Sequence, residues 1–318
     1  MILYIVLLII GFVVLIKGAD IFVDGASSIA GNFKISKMLI GLTIVAFGTS
    51  APEFAVSVKS ILSNNGDIVL GNVIGSNILN ILLILGVSTM FHSLTVKNNT
   101  VKKELPIVIL MTTLFSVLLL DSVFDEGNNI LSRSDGIIII LFFTVFIYYL
   151  IRMARKKIDE DQEETYMPLV KAIAFTIIGI ISIVLGSNVV VDNASNIAIN
   201  LGVSKKLVAL TIIALGTSLP ELVTSITATR KGEYDIAIGN VVGSNIFNIG
   251  IVIGIPVALF GSISKITFNY IDLIVMLSSA ILLFVFAFKD RKITRKEGFV
   301  LLLLFIAYYS YIIYNGIA

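Results

Sequence analysis

The feature that most constrains this chain is an internal duplication. Residues 18–86 align without gaps to residues 186–254 at a constant offset of 168, and 33 of these 69 positions are identical. The first copy reads GADIFVDGASSIAGNFKISKMLIGLTIVAFGTSAPE, and the second reads GSNVVVDNASNIAINLGVSKKLVALTIIALGTSLPE. The period is far longer than the roughly 20–50 residues of solenoid repeats, so the sequence predicts two equivalent halves.

The composition places both halves in a membrane. Hydrophobic residues make up 57% of the chain and charged residues 14%, whereas soluble domains average about 45–50% and about 25%. The net charge of +2 does not indicate a nucleic-acid partner. With no cysteine and the single histidine His92, the chain offers neither thiolate nor histidine-rich metal sites.

A helix that crosses the bilayer needs roughly 20 mostly apolar residues. The sequence predicts an all-α integral membrane protein with ten transmembrane helices, near 2–28, 37–62, 67–91, 103–122, 133–153, 168–195, 204–229, 234–261, 267–288 and 295–316. Because five is odd, the second set of five enters from the opposite side, which gives two inverted five-helix repeats. We expect a first repeat over 1–153, a charged cytoplasmic linker over 154–167 and a second repeat over 168–318.

The orientation is predicted from lysine and arginine. With the linker in the cytoplasm, the loops on its side hold sixteen of these residues, and the opposite loops hold Arg133, Lys205, Lys206 and Lys265. We therefore expect a multi-pass protein of the cell membrane, surrounded by lipid, with both termini outside. The acidic run from Asp159 to Glu164 is interpreted as part of the solvated linker, and the alternative is a regulatory calcium site.

Two carboxylates interrupt otherwise apolar spans at equivalent positions, Glu53 and Glu221. An acid at mid-membrane costs roughly 2.5–3.5 kcal/mol or more, and by default it marks an ion pathway. A helix-packing role would need a partner, and no basic residue lies near mid-span. Thr49 and Ser50 precede Glu53 by four and three residues, so they share its helix face.

Polar residues also form stripes along the third and eighth spans. Asn72, Ser76 and Asn80 recur every four residues, and the second half repeats them as Asn240, Ser244 and Asn248. Ser57 and Ser225 are interpreted as helix-packing residues. Asp24 and Asp192 are expected to be packing, capping or ion-access residues and not ligands.

Proline adds backbone oxygens to this set. Pro52 and Pro220 lack an N–H and disturb the preceding turn, so the carbonyls of Ala46, Thr49, Ala214 and Thr217 are candidates to face a cavity. The resulting ligands are all oxygen atoms, which suits hard cations such as Ca²⁺ with its 6–8 oxygens. Two glutamates balance one Ca²⁺ or two Na⁺, so the two ions are expected to compete for one site.

At GTSAPE and GTSLPE, with GNVIGSNILN and GNVVGSNIFN, the chain resembles the calcium/cation antiporter superfamily, and within it the prokaryotic sodium/calcium exchangers. The resemblance implies a ten-helix antiporter whose first and sixth helices slide during alternating access. It implies that Glu53, Glu221 and the carbonyls of Thr49 and Thr217 bind Ca²⁺. For Na⁺ it implies two ligand sets, Ala46, Thr49, Ser50 and Ser76 on one side and Ala214, Thr217, Ser218 and Ser244 on the other, with Asn80 and Asn248 at the centre.

The resemblance has one departure. Some relatives carry an aspartate where this chain has Asn80 or Asn248, and the loss of that third acid argues against potassium co-transport. The predicted function is sodium/calcium antiport, and the alternative is a proton-coupled exchanger of calcium or another divalent cation. A channel would usually need several subunits, whereas this site is expected to be complete in a monomer. No catalytic motif or cofactor site indicates an enzyme.

Overall fold

The computed structural model describes residues 1–63, 65–124, 129–156, 165–203, 208, 211–212, 214–264, 266 and 269–317. Most of the predicted linker and its acidic run, together with Lys205, Lys206 and Lys265, lie outside these residues. The regular secondary structure of the described part is helical apart from one pair of two-residue strands and one isolated bridge.

The first half contains α1 (Ile2–Phe33), α2 (Lys37–Thr49), α3 (Ala51–Leu62), α4 (Gly66–Phe91), β1 (Leu94–Thr95), α5 (Leu105–Leu118), α6 (Asp121–Phe124) and α7 (Arg133–Ala154). Wider π-helical turns occur within α2 at Gly41–Val45 and within α4 at Asn80–Leu85, and a further one, Thr100–Glu104, leads into α5. Such turns are rare, and they often occur at functional sites.

The second half contains α8 (Leu169–Asn200), α9 (Ala214–Gly216), α10 (Leu219–Arg230), α11 (Tyr234–Phe260), α12 (Tyr270–Asp290), β2 (Lys292–Ile293) and α13 (Arg295–Ile317). Within α11 a π-helical turn covers Asn248–Ile253, at the offset of 168 from the one in α4. The antiparallel pair of β1 with β2, in which Leu94 faces Ile293, joins the loop after α4 to the loop after α12.

By length and composition, seven helices in the described part could cross a membrane, and α2 with α3, bent by 46°, would make an eighth. The predicted span near 103–122 appears as the 14-residue α5 and its preceding π turn. The predicted span near 204–229 includes residues outside the described part. The protein is thus an all-α membrane protein with seven or eight candidate spans, and the count of ten remains a prediction.

Glycine lets the two longest helices, α1 and α8, pack closely against each other. A Cβ built on Gly18 would lie 2.7 Å from the Cβ of Ser182, and one on Gly186 would lie 2.7 Å from the backbone nitrogen of Leu15. Both approaches are shorter than real Cβ contacts allow, so only glycine fits. Gly18 and Gly186 are equivalent in the duplication, and each helix therefore presents the same small residue to the other.

The turn between α10 and α11 is tied to α1 and α2 by charged side chains. Lys231 lies 2.7 Å from a carboxylate oxygen of Asp24, and Lys37 lies 3.0 Å from Glu233, which also accepts a 2.8 Å hydrogen bond from Ser27. Asp24, which the sequence left as a packing, capping or ion-access residue, thus forms an ion pair that sequence reasoning did not predict.

Candidate cation site

Glu53 lies just after a break between two helices. The backbone of Ser50 leaves the helical region with φ −84° and ψ 5°, α2 ends at Thr49, and α3 begins at Ala51 with Pro52 in its first turn. Proline is favoured there because its missing N–H has no intrahelical partner at that position. Glu53 therefore lies in the first turn of α3, where the partial positive charge of a helix N-terminus stabilises a carboxylate.

The second half repeats this construction around Glu221. Ser218 has φ −89° and ψ 4°, and α10 begins at Leu219 with Pro220 in its first turn. Glu221 occupies the same first-turn position as Glu53. The predicted disturbance of the helix near the two prolines is confirmed. In the first half the two helices on either side of the break are bent by 46°.

Both carboxylates are inside the protein. Glu53 and Glu221 are each 1% exposed, and among the described residues neither forms an ion pair with a lysine or arginine. Neither oxygen of Glu53 and only one oxygen of Glu221 has a hydrogen-bond partner in the described part of the chain. Burying a charge without a partner is strongly unfavourable, so these atoms indicate a site for a cation.

Serine hydroxyls reach across from each half to the other. The Ser50 hydroxyl donates a 2.9 Å hydrogen bond to Oε1 of Glu221. The Ser218 hydroxyl, at the equivalent position, lies 3.2 Å from the hydroxyl of Ser76 on α4. These two contacts bring the helix breaks of both halves to one place.

Threonine and asparagine side chains make a second set of contacts between the halves. Thr49 Oγ1 donates to Oδ1 of Asn240 at 3.0 Å, and the Asn240 amide donates to the Glu221 carbonyl at 3.4 Å. The mirror contacts run from Thr217 to Asn72 Oδ1 at 3.4 Å and from the Asn72 amide to the Glu53 carbonyl at 3.3 Å. Each asparagine stripe therefore supports the backbone that carries the glutamate of its own half.

Further buried oxygens complete the set. Among the described residues, Oδ1 of Asn80, Oδ1 of Asn248 and the hydroxyl of Ser244 are buried without a hydrogen-bond partner. The carboxylate, amide and hydroxyl oxygens together match the hard ligands that Ca²⁺ uses. The described residues contain no cluster of three or more His, Cys, Asp or Glu side chains, so any cation held here would rely on two carboxylates and neutral oxygens.

Two of the predicted backbone ligands, Ala46 and Ala214, lie in the helices that precede the two breaks. The Ala46 carbonyl accepts a 3.0 Å hydrogen bond from the Ser50 N–H. It is therefore already engaged, although a carbonyl oxygen has two lone pairs. Ala214 is the first residue of α9, and its side chain lies outside the described part.

Sequence reasoning did not assign roles to several residues around these oxygens. Asn72 and Asn240 were seen as parts of the stripes, but not as supports for the glutamate backbone. Ser225, interpreted as a packing residue, accepts a 2.9 Å hydrogen bond from the Asn240 amide. Asn77 and Asn245 are polar residues of the same helices that lie one residue off the four-residue stripes, so they received no role, yet both hydrogen-bond across the halves. The repeated GSN motif was the available signal.

Comparison with known proteins gives a consistent result. The family described as sodium/calcium exchanger protein matches residues 3–152 and 171–314. The inner membrane protein YrbG of Escherichia coli is 39% identical over 260 residues, which cover 79% of this chain and 78% of that protein. The sodium/calcium exchanger MaX1 of Methanosarcina acetivorans is 30% identical over 345 residues, covering 97% and 98%.

A solved structure of the sodium-calcium exchanger NCX_Mj, soaked with Na⁺ and without Ca²⁺, has a similar fold. It superimposes with a TM-score of 0.84 at 32% sequence identity, and the match covers 96% of this chain and 97% of that one.

Proposed function

Because the chain belongs to the sodium/calcium exchanger protein family, we propose that it exchanges Ca²⁺ for Na⁺ across the cell membrane at the site between Glu53 and Glu221. Its relatives are transporters and not enzymes, which supports a cation antiport function. The coupling to Na⁺ and the alternating access of one site to the two sides of the membrane are the finer parts of this proposal.

The observation that carries the proposal is the group of buried oxygens that have no hydrogen-bond partner among the described residues. Both oxygens of Glu53, one of Glu221 and one each of Asn80, Asn248 and Ser244 belong to it. Such atoms carry a large desolvation cost unless something compensates them. A bound cation supplies that compensation, so we assign Ca²⁺ to the two carboxylates with the carbonyls of Thr49 and Thr217.

Sodium would use the neutral oxygens on either side of the carboxylates. We propose Ala46, Thr49, Ser50 and Ser76 for one side and Ala214, Thr217, Ser218 and Ser244 for the other, with Asn80 and Asn248 between them. Two glutamates neutralise one Ca²⁺ or two Na⁺, and excess positive charge in a low-dielectric interior is strongly unfavourable. The two kinds of ion therefore exclude each other, which is the physical requirement for exchange.

The architecture we propose has ten transmembrane helices in two inverted repeats, over 1–153 and 168–318, with a linker over 154–167. The excess of lysine and arginine on the linker side favours a cytoplasmic linker and external termini. Hydrogen bonds between the two halves of one chain surround the site, which supports function as a monomer in lipid.

The experiment that tests the coupling is calcium uptake into proteoliposomes that contain the purified protein. An outward sodium gradient is expected to drive uptake of radioactive calcium, and a pH gradient of the same size without sodium is expected to drive none. Adding potassium to both sides should leave the rate unchanged, because Asn80 and Asn248 stand where an additional acid would be needed.

Each alternative has its own signature in this assay. Uptake driven by the pH gradient alone would indicate the proton-coupled exchanger and contradict sodium coupling. A strict potassium requirement would contradict the interpretation of the two asparagines. Calcium flux that needs no counter-ion would indicate a channel.

A further inference from the structure

Four asparagines form hydrogen bonds between α4 and α11. We propose that two of them fix the orientation of the side-chain amides of the other two. In this assignment Asn77 and Asn245 are positioning residues, which hold the amides of Asn248 and Asn80 so that oxygen, and not nitrogen, faces the cation. The inference rests on the proposed function, since it concerns the same site.

The first step is fixed by a backbone carbonyl. The Asn245 amide nitrogen donates a 3.3 Å hydrogen bond to the carbonyl oxygen of residue 77. A carbonyl can only accept a hydrogen bond, so the NH₂ end of Asn245 must point towards it. The oxygen end of the Asn245 side chain therefore points the other way.

The second step passes this choice to Asn80. Oδ1 of Asn245 accepts a 2.9 Å hydrogen bond from the amide nitrogen of Asn80. If Asn80 turned over, two oxygens would face each other at this distance and the hydrogen bond would be lost. Oδ1 of Asn80 is consequently directed away from Asn245, and it is buried without a partner in the described part of the chain.

The other half makes the same pair of choices independently. The Asn77 amide nitrogen donates to the carbonyl of residue 245 at 3.4 Å, and Oδ1 of Asn77 accepts from the Asn248 amide at 3.0 Å. Oδ1 of Asn248 is likewise buried and unpartnered among the described residues. The two free oxygens thus result from two chains of hydrogen bonds, each anchored on the main chain.

The direction matters because the two ends of an amide have opposite effects on a cation. The carbonyl oxygen is a ligand for hard cations, whereas the NH₂ group carries two donor hydrogens and repels them. Groups that orient a metal ligand contribute to affinity without touching the metal, and their loss typically weakens metal binding by about 10–100-fold. Asn77 and Asn245 are expected to act in this way.

A simpler role is possible for the same contacts, since they also join α4 to α11. A brace between helices would lose its function on substitution whatever residue stood at 248. Loss of a positioning residue would not matter if residue 248 were an aspartate, because a carboxylate presents an oxygen atom in both orientations. Replacement of Asn248 by aspartate removes the amide that donates to Oδ1 of Asn77, and it presents an oxygen to the cation whichever way the side chain is turned. In this background Asn77 therefore no longer decides which atom faces the site.

The test measures equilibrium binding of radioactive calcium to the purified full-length protein. Asn77→Leu removes the amide at similar size, and it is expected to weaken binding about tenfold in the unaltered background. In the Asn248→Asp background the same substitution is expected to change affinity by less than about threefold, as a double-mutant cycle would show. Asn245→Leu with Asn80→Asp provides the matched pair from the other half.

A crossed pair serves as the control. Asn77→Leu combined with Asn80→Asp adds the same charge at the wrong position, so the full loss from Asn77→Leu should persist. Variants are compared only where gel filtration and thermal unfolding match the unaltered protein. If Asn77→Leu does not fold, Asn77→Ser and Asn77→Ala replace it in the same cycle.

The possible failures are distinguishable. An equal loss of affinity in both backgrounds, or no loss in either, would overturn the positioning role and leave the proposed exchange intact. An unaltered protein that binds neither calcium nor sodium would contradict the proposed function itself, and the assignment of the asparagines with it.

Discussion

The two halves of the site have the same residues but not the same contacts. Asn72 and Asn240 make matching hydrogen bonds to the backbone of Glu53 and Glu221, at 3.3 and 3.4 Å. The serines differ, because Ser50 donates to the carboxylate of Glu221, whereas Ser218 contacts only Ser76 among the hydrogen bonds that the structure describes.

This difference distinguishes the residues that hold the backbone of the site, which we call its frame, from the oxygen atoms that could bind the cation. The asparagines of the frame make equivalent hydrogen bonds in both halves, so the backbones of both glutamates are placed alike. The carboxylates do not have equivalent contacts. One oxygen of Glu221 accepts a hydrogen bond from a hydroxyl, whereas both oxygens of Glu53 lack partners in the described part of the chain. Equivalent sequence positions therefore do not imply equivalent roles in binding.

The largest expected effect tests what the halves share. Glu53→Gln and Glu221→Gln should each lower sodium-driven calcium uptake by more than about 100-fold, beyond the range for residues that only support a ligand, because each removes half of the negative charge of the site. Glu104→Gln is the control, since Glu104 is also fully buried but hydrogen-bonds Tyr149 outside the site. Near-normal uptake by either site variant would contradict the shared role.

The next effect tests where the halves differ. Ser50→Ala removes a hydrogen bond to a charged group, worth about 1.5–3 kcal/mol, whereas Ser218→Ala removes a neutral one, worth about 0.5–1.5 kcal/mol. We expect the KM for calcium to change roughly tenfold in Ser50→Ala. The change in Ser218→Ala should be smaller. Equal changes in KM would mean that the two serines act alike during exchange.

The glycines of α1 and α8 provide a test of equivalence. Gly18→Ala and Gly186→Ala place a methyl group where 2.7 Å is available, and overpacking of this kind costs about 1–3 kcal/mol. Thermal unfolding in detergent should show a similar decrease for both variants. Ile9→Ala, on the exposed surface of α1, serves as the comparison, and a decrease as large as that of the glycine variants would indicate a general effect on the helix.

The smallest effect concerns the turns that follow α3 and α10. Lys231 and Glu233 form ion pairs, whereas the equivalent residues of the first half, Ser63 and Asn65, are uncharged. Lys231→Ser with Glu233→Asn gives the second turn the uncharged residues of the first at these two positions and should cost about 0–1 kcal/mol for each ion pair lost. The decrease in the unfolding temperature should shrink at high salt, and a decrease that salt does not affect would exclude an ionic origin.

Much of the frame could be predicted from the sequence, because the duplication states which positions are equivalent. Burial of Glu53 and Glu221 followed from their place in apolar spans, and the helix breaks followed from Pro52 and Pro220. The expectation that the polar stripes meet is supported by contacts such as that of Thr49 with Asn240.

The contacts of individual atoms could not be predicted. Helical periodicity says which residues share a face, but it carries no distance between helices that are far apart in sequence. The bond from Ser50 to Glu221 joins residues 171 positions apart, and the ion pair of Lys231 with Asp24 joins residues 207 apart. The π turns at Asn80 and Asn248 also shift the helix phase, which a regular period of 3.6 residues does not anticipate.

The reciprocal hydrogen bonds between α4 and α11 have the pattern of a twofold-symmetric homodimer interface. The side chain at position 77 binds the main chain at position 245, and position 245 returns the same bond to position 77. In an isologous interface, residue i meets j and j meets i, so one self-complementary surface serves both partners. Because all four residues are asparagine, two identical copies of a single half could form the same four hydrogen bonds and would leave the same two amide oxygens open to a cation.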